Sequence, residues 1–174
     1  RRILLLGAGA GTVIRQLTSV YGPLDITAVE SDPIHLEIAR EHFGVTDSMA
    51  TLELADAAEF VGRYRGPPFD LVIDDLFGGQ GGVAARARAF DGAWFRKLKH
   101  CLTRDGILSI NFADRIERRA SVVGSLFGSG KRFRSGFELR APGIENIVCG
   151  LLPFNAQSAD LRAHLQATPQ LSAL

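Results

Sequence analysis

Short apolar runs bounded by turn residues alternate along this chain with segments in which apolar positions recur at helical spacing. The strand-like runs are Arg2–Leu6, Asp25–Glu30, Ala50–Leu54, Phe69–Asp74, Gly106–Phe112, Gly136–Arg140 and Asn146–Leu152. Helical patterns fill the gaps between the first five. The first covers about Thr12–Tyr21, with Val13, Leu17 and Val20 on one side. The second begins at Asp32-Pro33, a good cap followed by proline at the first helical position, and is expected to turn Ile34, Ile38 and Phe43 inward. A third opens with Asp56-Ala-Ala-Glu59, a capping-box spacing with Asp in place of Ser or Thr. Phe90–Leu102 and Arg115–Phe127 give two more.

Strands alternating with helices imply a parallel sheet covered on both faces. After the fifth strand and its helix the pattern changes. Lys131–Arg140 and Ile144–Leu152 are joined by Ala141-Pro142-Gly143, a hairpin signal. The fold expected is therefore α/β, a Rossmann-like three-layer sandwich with a seven-stranded, mostly parallel sheet whose last strand inserts antiparallel. Residues 1–154 form the expected sheet domain, and 155–174 a short helix and tail. Gly78–Gly82 reads as a flexible stretch where a substrate loop would lie.

With 174 residues the chain fits one domain, large enough to bury roughly two thirds of the surface its unfolded form exposes. No apolar stretch approaches the roughly 18 residues that cross a bilayer. Arg1-Arg2 leads straight into a strand, so no signal peptide is expected and the chain reads as soluble and cytoplasmic. Cys101 and Cys149 lack ligand-like neighbours and read as reduced core thiols. The net charge of +1 hides a split: residues 1–80 hold 6 Lys/Arg against 12 Asp/Glu, and residues 81–174 hold 14 against 7. The basic residues are scattered, without interleaved aromatics, so they read as solvated helix faces and nucleic-acid binding is not expected.

Candidate chemistry begins where the first strand enters Gly7-Ala-Gly9-Ala-Gly11-Thr12. Alternate glycines let backbone approach a ligand because no Cβ blocks the way. The spacing is G-x-G-x-G rather than the G-x-G-x-x-G of dinucleotide sites, and no basic residue follows before Arg15, so little is offered to a phosphate. A nucleoside without phosphates fits better, and S-adenosylmethionine or a relative is such a ligand. Glu30 ends the second strand beside this loop, where it can accept hydrogen bonds from two ribose hydroxyls.

In open parallel sheets the ligand lies outside the carboxyl ends of the strands. Four of the five predicted ends carry a carboxylate: Glu30, Asp56, Asp74-Asp75 and Asp114. Asp56 can cap its helix and can also meet an adenine amino group. Successive strand residues point to opposite faces, so one of Asp74 and Asp75 faces the ligand and the other a neighbouring loop or helix. A carboxylate there can balance a sulfonium or take a proton from an attacking amine. His35, His42, His100 and His164 show no metal-ligand spacing and are expected at the surface, and no metal is expected.

Three segments resemble the spermidine synthase-like group of the class I S-adenosylmethionine-dependent methyltransferase fold. ILLLGAGAGTVIRQL is similar to its first motif, AVESDPIHLEIAREHF to its V-E-x-D-P stretch, and FDLVIDDLFGG to its Y-D-x-I-x-x-D segment. The resemblance covers about residues 1–113. It implies a cofactor, S-adenosylmethionine or its decarboxylated form, held by Gly7, Gly9, Gly11, Glu30, Ser31, Asp56, Ala57 and Asp74. Asp75 matches the acid that activates the amine in aminopropyl transfer, so a small-molecule amine is the expected acceptor and polyamine synthesis one outcome. A homodimer is left open. The synthases usually read D-S-S-D-P where this chain has Asp75-Leu76-Phe77-Gly78-Gly79, so Gly78 replaces the second acid. The chain also starts at the first sheet strand, without the small N-terminal β-domain of those enzymes. Methyl transfer to an unknown acceptor and a non-catalytic nucleoside-binding module remain as alternatives, with methylation of nucleic-acid bases a weaker one.

Overall fold

The computed structural model describes residues 1–78, 85–128 and 130–171. A seven-stranded sheet forms its centre, built from β1 (Arg2–Leu6), β2 (Asp25–Glu30), β3 (Thr51–Leu54), β4 (Phe69–Asp74), β7 (Leu102–Phe112), β8 (Ser135–Leu139) and β9 (Ile147–Leu152). Two short strands, β5 (Phe77–Gly78) and β6 (Ala85–Arg86), make a separate antiparallel pair after β4. The sheet order is β3-β2-β1-β4-β7-β9-β8, with β9 antiparallel to both neighbours. The helices are α1 (Thr12–Tyr21), α2 (Pro33–Glu41), α3 (Ala57–Arg63), α4 (Gly92–Cys101), α5 (Arg115–Ala120) and α6 (Ser158–Ala167). The three-layer architecture and the inserted antiparallel strand are those expected from the alternating pattern.

The strands at the centre are apolar on both sides because both sides are covered. In β1, Leu4 and Leu6 join a cluster with Phe60, Phe69, Trp94, Leu98 and Phe112, while Ile3 and Leu5 join Ile14, Ile26, Ala39 and Val45 on the opposite face. Burying a side chain of this size contributes about 1.5–3 kcal/mol relative to leaving it exposed, which is why the four consecutive positions Ile3–Leu6 carry no polar side chain.

Three local expectations are corrected. Helix α2 buries Leu36 and Ala39, while Ile34 is 60% exposed and Phe43 lies partly in solvent. The small Ala39 is what allows α2 to sit against the glycine loop: a Cβ placed on Gly11 would lie 3.5 Å from the Ala39 Cβ. In α1 the fully buried residue is Ile14, with Val13 and Leu17 packed beside it and Val20 outside that cluster. The helix expected over Arg115–Phe127 stops at Ala120, where Ser121 turns extended and its hydroxyl donates to the Arg118 carbonyl; a single 3-10 turn, Val123–Ser125, follows. Ser and Gly compete poorly for helix interiors. Of the Gly78–Gly82 stretch, only Gly78 lies within the described residues.

Strand β7 begins at Leu102 rather than Gly106. Its pairing with β4 runs Phe69 to Leu102 and then Leu71 to Ile107, so two steps on β4 face five on β7 and the extra residues bulge outward. Gly106 sits at the tight end of that bulge, where a Cβ would lie 2.8 Å from Leu102 Cδ2 and 3.1 Å from two carbonyl oxygens.

Candidate active site

The carboxyl ends of β1 to β4 enclose a cleft of about 360 Å3, at the bottom of the range typical of ligand pockets. Its floor is stitched together by backbone hydrogen bonds between strand ends. Gly7 and Ala8 both donate to the Val29 carbonyl, Ala55 donates to Glu30, and Asp75 donates to Leu6. The loop, the acid after β2 and the acid after β4 therefore hold fixed positions relative to one another.

The three glycines of the loop do three different things, and all have positive φ. A Cβ on Gly7 would collide with the carbonyl of Asp75, so Gly7 is what lets β1 and the end of β4 close on one another. Gly9 has nothing within 4 Å of where its Cβ would be, and it opens onto the cleft. Gly11 is a correction: it is buried, absent from the cleft wall, and leaves room for Val45, whose Cγ2 would be 2.5 Å from an added Cβ. Helix α1 starts from Gly11 without a side-chain cap, and Thr12 and Val13 of its first turn line the cleft.

Glu30 is turned inward, 8% exposed. Its Oε2 accepts from the Gly9 amide at 2.8 Å, and its Oε1 accepts from Ser31 at 2.8 Å and Asp32 at 3.0 Å. The carboxylate thus clamps the glycine loop to the end of β2. A carboxylate has about four acceptor sites, so its own backbone fills three and leaves one rather than two for a ligand hydroxyl. His35 stands at the rim with Nδ1 3.7 Å from Glu30 Oε1; like the other three histidines it is exposed, but it lines the cleft.

Asp56 caps α3, and both of its bonds, from Ala58 at 2.8 Å and Glu59 at 3.0 Å, end on Oδ1. Asp56, Ala57 and Ser31 all line the cleft. Asp75 lies at the other end of the same cleft, beside Leu76, Phe77, Ala87 and Arg88. Asn111 on β7 donates to its Oδ1 at 2.9 Å. Burial pushes the Asp75 carboxyl above the ordinary carboxylate range; the Asn111 bond opposes this, the neighbouring Asp74 charge adds to it, and Arg86 opposes it.

Asp74, expected to hold cofactor, is instead fully buried on the other face of β4. Its Oδ1 pairs with Arg86 Nη2 at 2.8 Å and its Oδ2 accepts from Trp94 Nε1 at 2.9 Å. The alternation of the strand sends one acid each way, and the inward one is consumed by this network. Arg86 had read as one of the scattered solvated cations. Its guanidinium is 3% exposed and also donates to the Asn111 carbonyl, and its ring contact with Phe112 spans 5.4 Å. No spacing in the sequence joins positions 74, 86, 94 and 111.

Residues 1–131 match the spermine/spermidine synthase domain model, three quarters of the chain. The chain belongs to the spermine/spermidine synthase domain family. Within it, the chain is 30% identical over 105 residues to a polyamine aminopropyltransferase 2 of Caldanaerobacter subterraneus subsp. tengcongensis, covering 59% of this chain and 35% of that protein. It is 27% identical over 132 residues to the eEF1A lysine and N-terminal methyltransferase of Mus musculus, covering 71% of this chain and 19% of that one. The chain thus spans about a third or less of the length of these curated relatives. A crystal structure of human methyltransferase-like protein 13 in complex with SAH superimposes with a TM-score of 0.80 at 20% identity, covering 99% of this chain and 82% of that one. Aminopropyltransferases and a methyltransferase thus stand together among the proteins this chain is similar to.

Leu76, Phe77, Ala87 and Arg88 are cleft residues that reasoning from the sequence missed. Leu76 and Phe77 had been noted only where they replace the family's serines, and Ala87-Arg88 reaches the cleft through the β5–β6 pair, where Ala87 donates to the Leu76 carbonyl.

Proposed function

We propose that this domain binds an S-adenosylmethionine-type nucleoside and transfers a carbon group from it to a neutralised amine or similar small nucleophile, with Asp75 as the proton acceptor. The observation that carries this reading is that Asp75 shares one cleft with the Glu30-clamped glycine loop while its neighbour Asp74 is locked away. The fit to the nucleoside rests on Gly9, which leaves backbone open to close approach, on the last acceptor site of Glu30 for a ribose hydroxyl, and on Asp56 Oδ2 with Ala57 for adenine. When bound, the nucleoside supplies a carbon activated by an adjacent sulfonium.

The chain's residues do the rest by placement. Asp75, raised by burial and steered by Asn111, accepts the proton that an ammonium acceptor must lose before it can attack. Leu76 and Phe77 limit water at that end. Three features favour the donor that keeps its carboxylate, and hence methyl transfer, over aminopropyl transfer. A diamine and an aminopropyl tail are both cationic and call for acids. Asp74 is engaged by Arg86 and Trp94, Gly78 offers no carboxylate, and Arg88 brings a positive charge to the same wall.

Calorimetry with S-adenosylmethionine, its decarboxylated form and methylthioadenosine, followed by turnover with diamines and with amine methyl acceptors, tests this. Asp75→Asn is expected to abolish transfer while leaving nucleoside binding within about tenfold. Unchanged turnover in that variant removes the base role; tight nucleoside binding without product from any acceptor would make the domain a binding module.

A further inference from the structure

A second hollow, of about 470 Å3, lies at the opposite edge of the sheet, lined by Lys99, Arg104, Asp105, Lys131, Arg132, Arg134 and others. Its position follows from topology. The bulge at the start of β7 carries Arg104 and Asp105, Arg134 precedes β8, and Pro153 follows β9, all at the edge where the parallel strands begin. The catalytic cleft lies at the edge where they end.

Five cations face one acid in this hollow, and they come from α4, the β7 bulge and the segment before β8. These cations lie in three separate stretches of the chain, and the fold gathers them. Arg132 is the anchor. It donates through Nη2 to the Thr103 carbonyl on the bulge, its guanidinium stands 5.7 Å from the Phe133 ring, and its buried Nε has no hydrogen-bond partner among the described residues. Burial disfavours its charge, and Asp105 only partly restores it. Gathering like charges around a half-buried guanidinium is unfavourable unless an anion neutralises them.

We propose that this hollow is an anion site, separate from the transferase cleft, for a small molecule carrying two or three phosphate groups. The excess of four cations over acids matches the charge of such a chain, and guanidinium groups suit phosphate oxygens through paired hydrogen bonds. The open hollow also leaves room for an organic group on the phosphates. This inference does not depend on the reaction at the other edge.

The test is calorimetry on the whole chain at fixed ionic strength with inorganic phosphate, tripolyphosphate, ATP and a thymidine oligonucleotide. Saturable one-to-one binding of tripolyphosphate or ATP is expected, and inorganic phosphate should bind at least about tenfold more weakly. ATP binding no better than tripolyphosphate assigns recognition to the phosphates alone; tighter ATP binding assigns a nucleotide. Arg104→Ala with Arg134→Ala, both exposed positions, should weaken binding by about tenfold or more while the melting profile is unchanged. Arg132→Lys should also weaken it, because Lys keeps the charge and loses the fork. No saturable binding of either polyphosphate, equal affinity in the double variant, or oligonucleotide binding without polyphosphate binding overturns the proposal.

Discussion

Asp75 gains basicity from burial and loses range by the same cause. Its folded pKa lies above the unfolded value of 3.8, so the folded state keeps the proton to higher pH. Stability from this group is therefore present below the unfolded pKa and is lost as pH rises through the window between the two values, the reverse of a salt-bridged aspartate. The proposed role as proton acceptor needs the ionised form, so the acid limb of kcat/KM is expected above the usual carboxylate range. Asn111→Ala removes a hydrogen bond that favours the charge. The limb should move further up, by up to about one pH unit, and a pH–rate profile that does not move would detach Asn111 from the base. The glycines separate in the same way. Gly9→Ala meets open space, so it should cost about 1 kcal/mol or a little more through its positive φ while impairing nucleoside binding measured by calorimetry. Gly7→Ala must push against the Asp75 backbone and should lower Tm markedly more than Gly9→Ala does.

At the scale of elements, the β5–β6 pair reaches the cleft because Arg86, its last residue, is tied down beneath it. Asp74→Ala would leave that guanidinium buried and unpaired, a loss of about 3–5 kcal/mol that denaturant unfolding would register, whereas Trp94→Phe should cost less because the ion pair survives. This network also marks where the sequence stopped being readable. The seven strands could be placed because each is a local run of apolar residues, and the caps Asp32 and Asp56 could be placed because a cap is decided within three residues. The face of α2 could not, since Ile34 looks more hydrophobic than Ala39 until Gly11 and Val45 are brought against it. Likewise two adjacent acids, Asp74 and Asp75, look alike until the partners at 86, 94 and 111 arrive from other elements.

For the whole molecule, the glycine loop and Glu30 pointed to the edge of the sheet that holds the cleft, and the opposite edge gave no comparable signal because Lys131, Arg132 and Arg134 meet Lys99 and Arg104 only in space. If both edges bind ligands, each should stabilise the fold by mass action, about 2.7 kcal/mol at a hundredfold excess over Kd. In a chain of this size that amounts to a rise in Tm of roughly 5–10 °C for each ligand, and the two rises should add, as expected for distant sites. Non-additive melting shifts would reveal coupling. The physical link between the edges is β7, which runs through the middle of the sheet for roughly 30 Å. At one tip its Asn111 donates to Asp75, and at the other the Thr103 carbonyl receives Arg132. A slip of one residue along this beam would unseat both attachments and turn every side chain to the wrong layer. Insertions and deletions should therefore be tolerated in the Ala141-Pro142-Gly143 turn, and a single residue added within 106–112 should disable the two ends together.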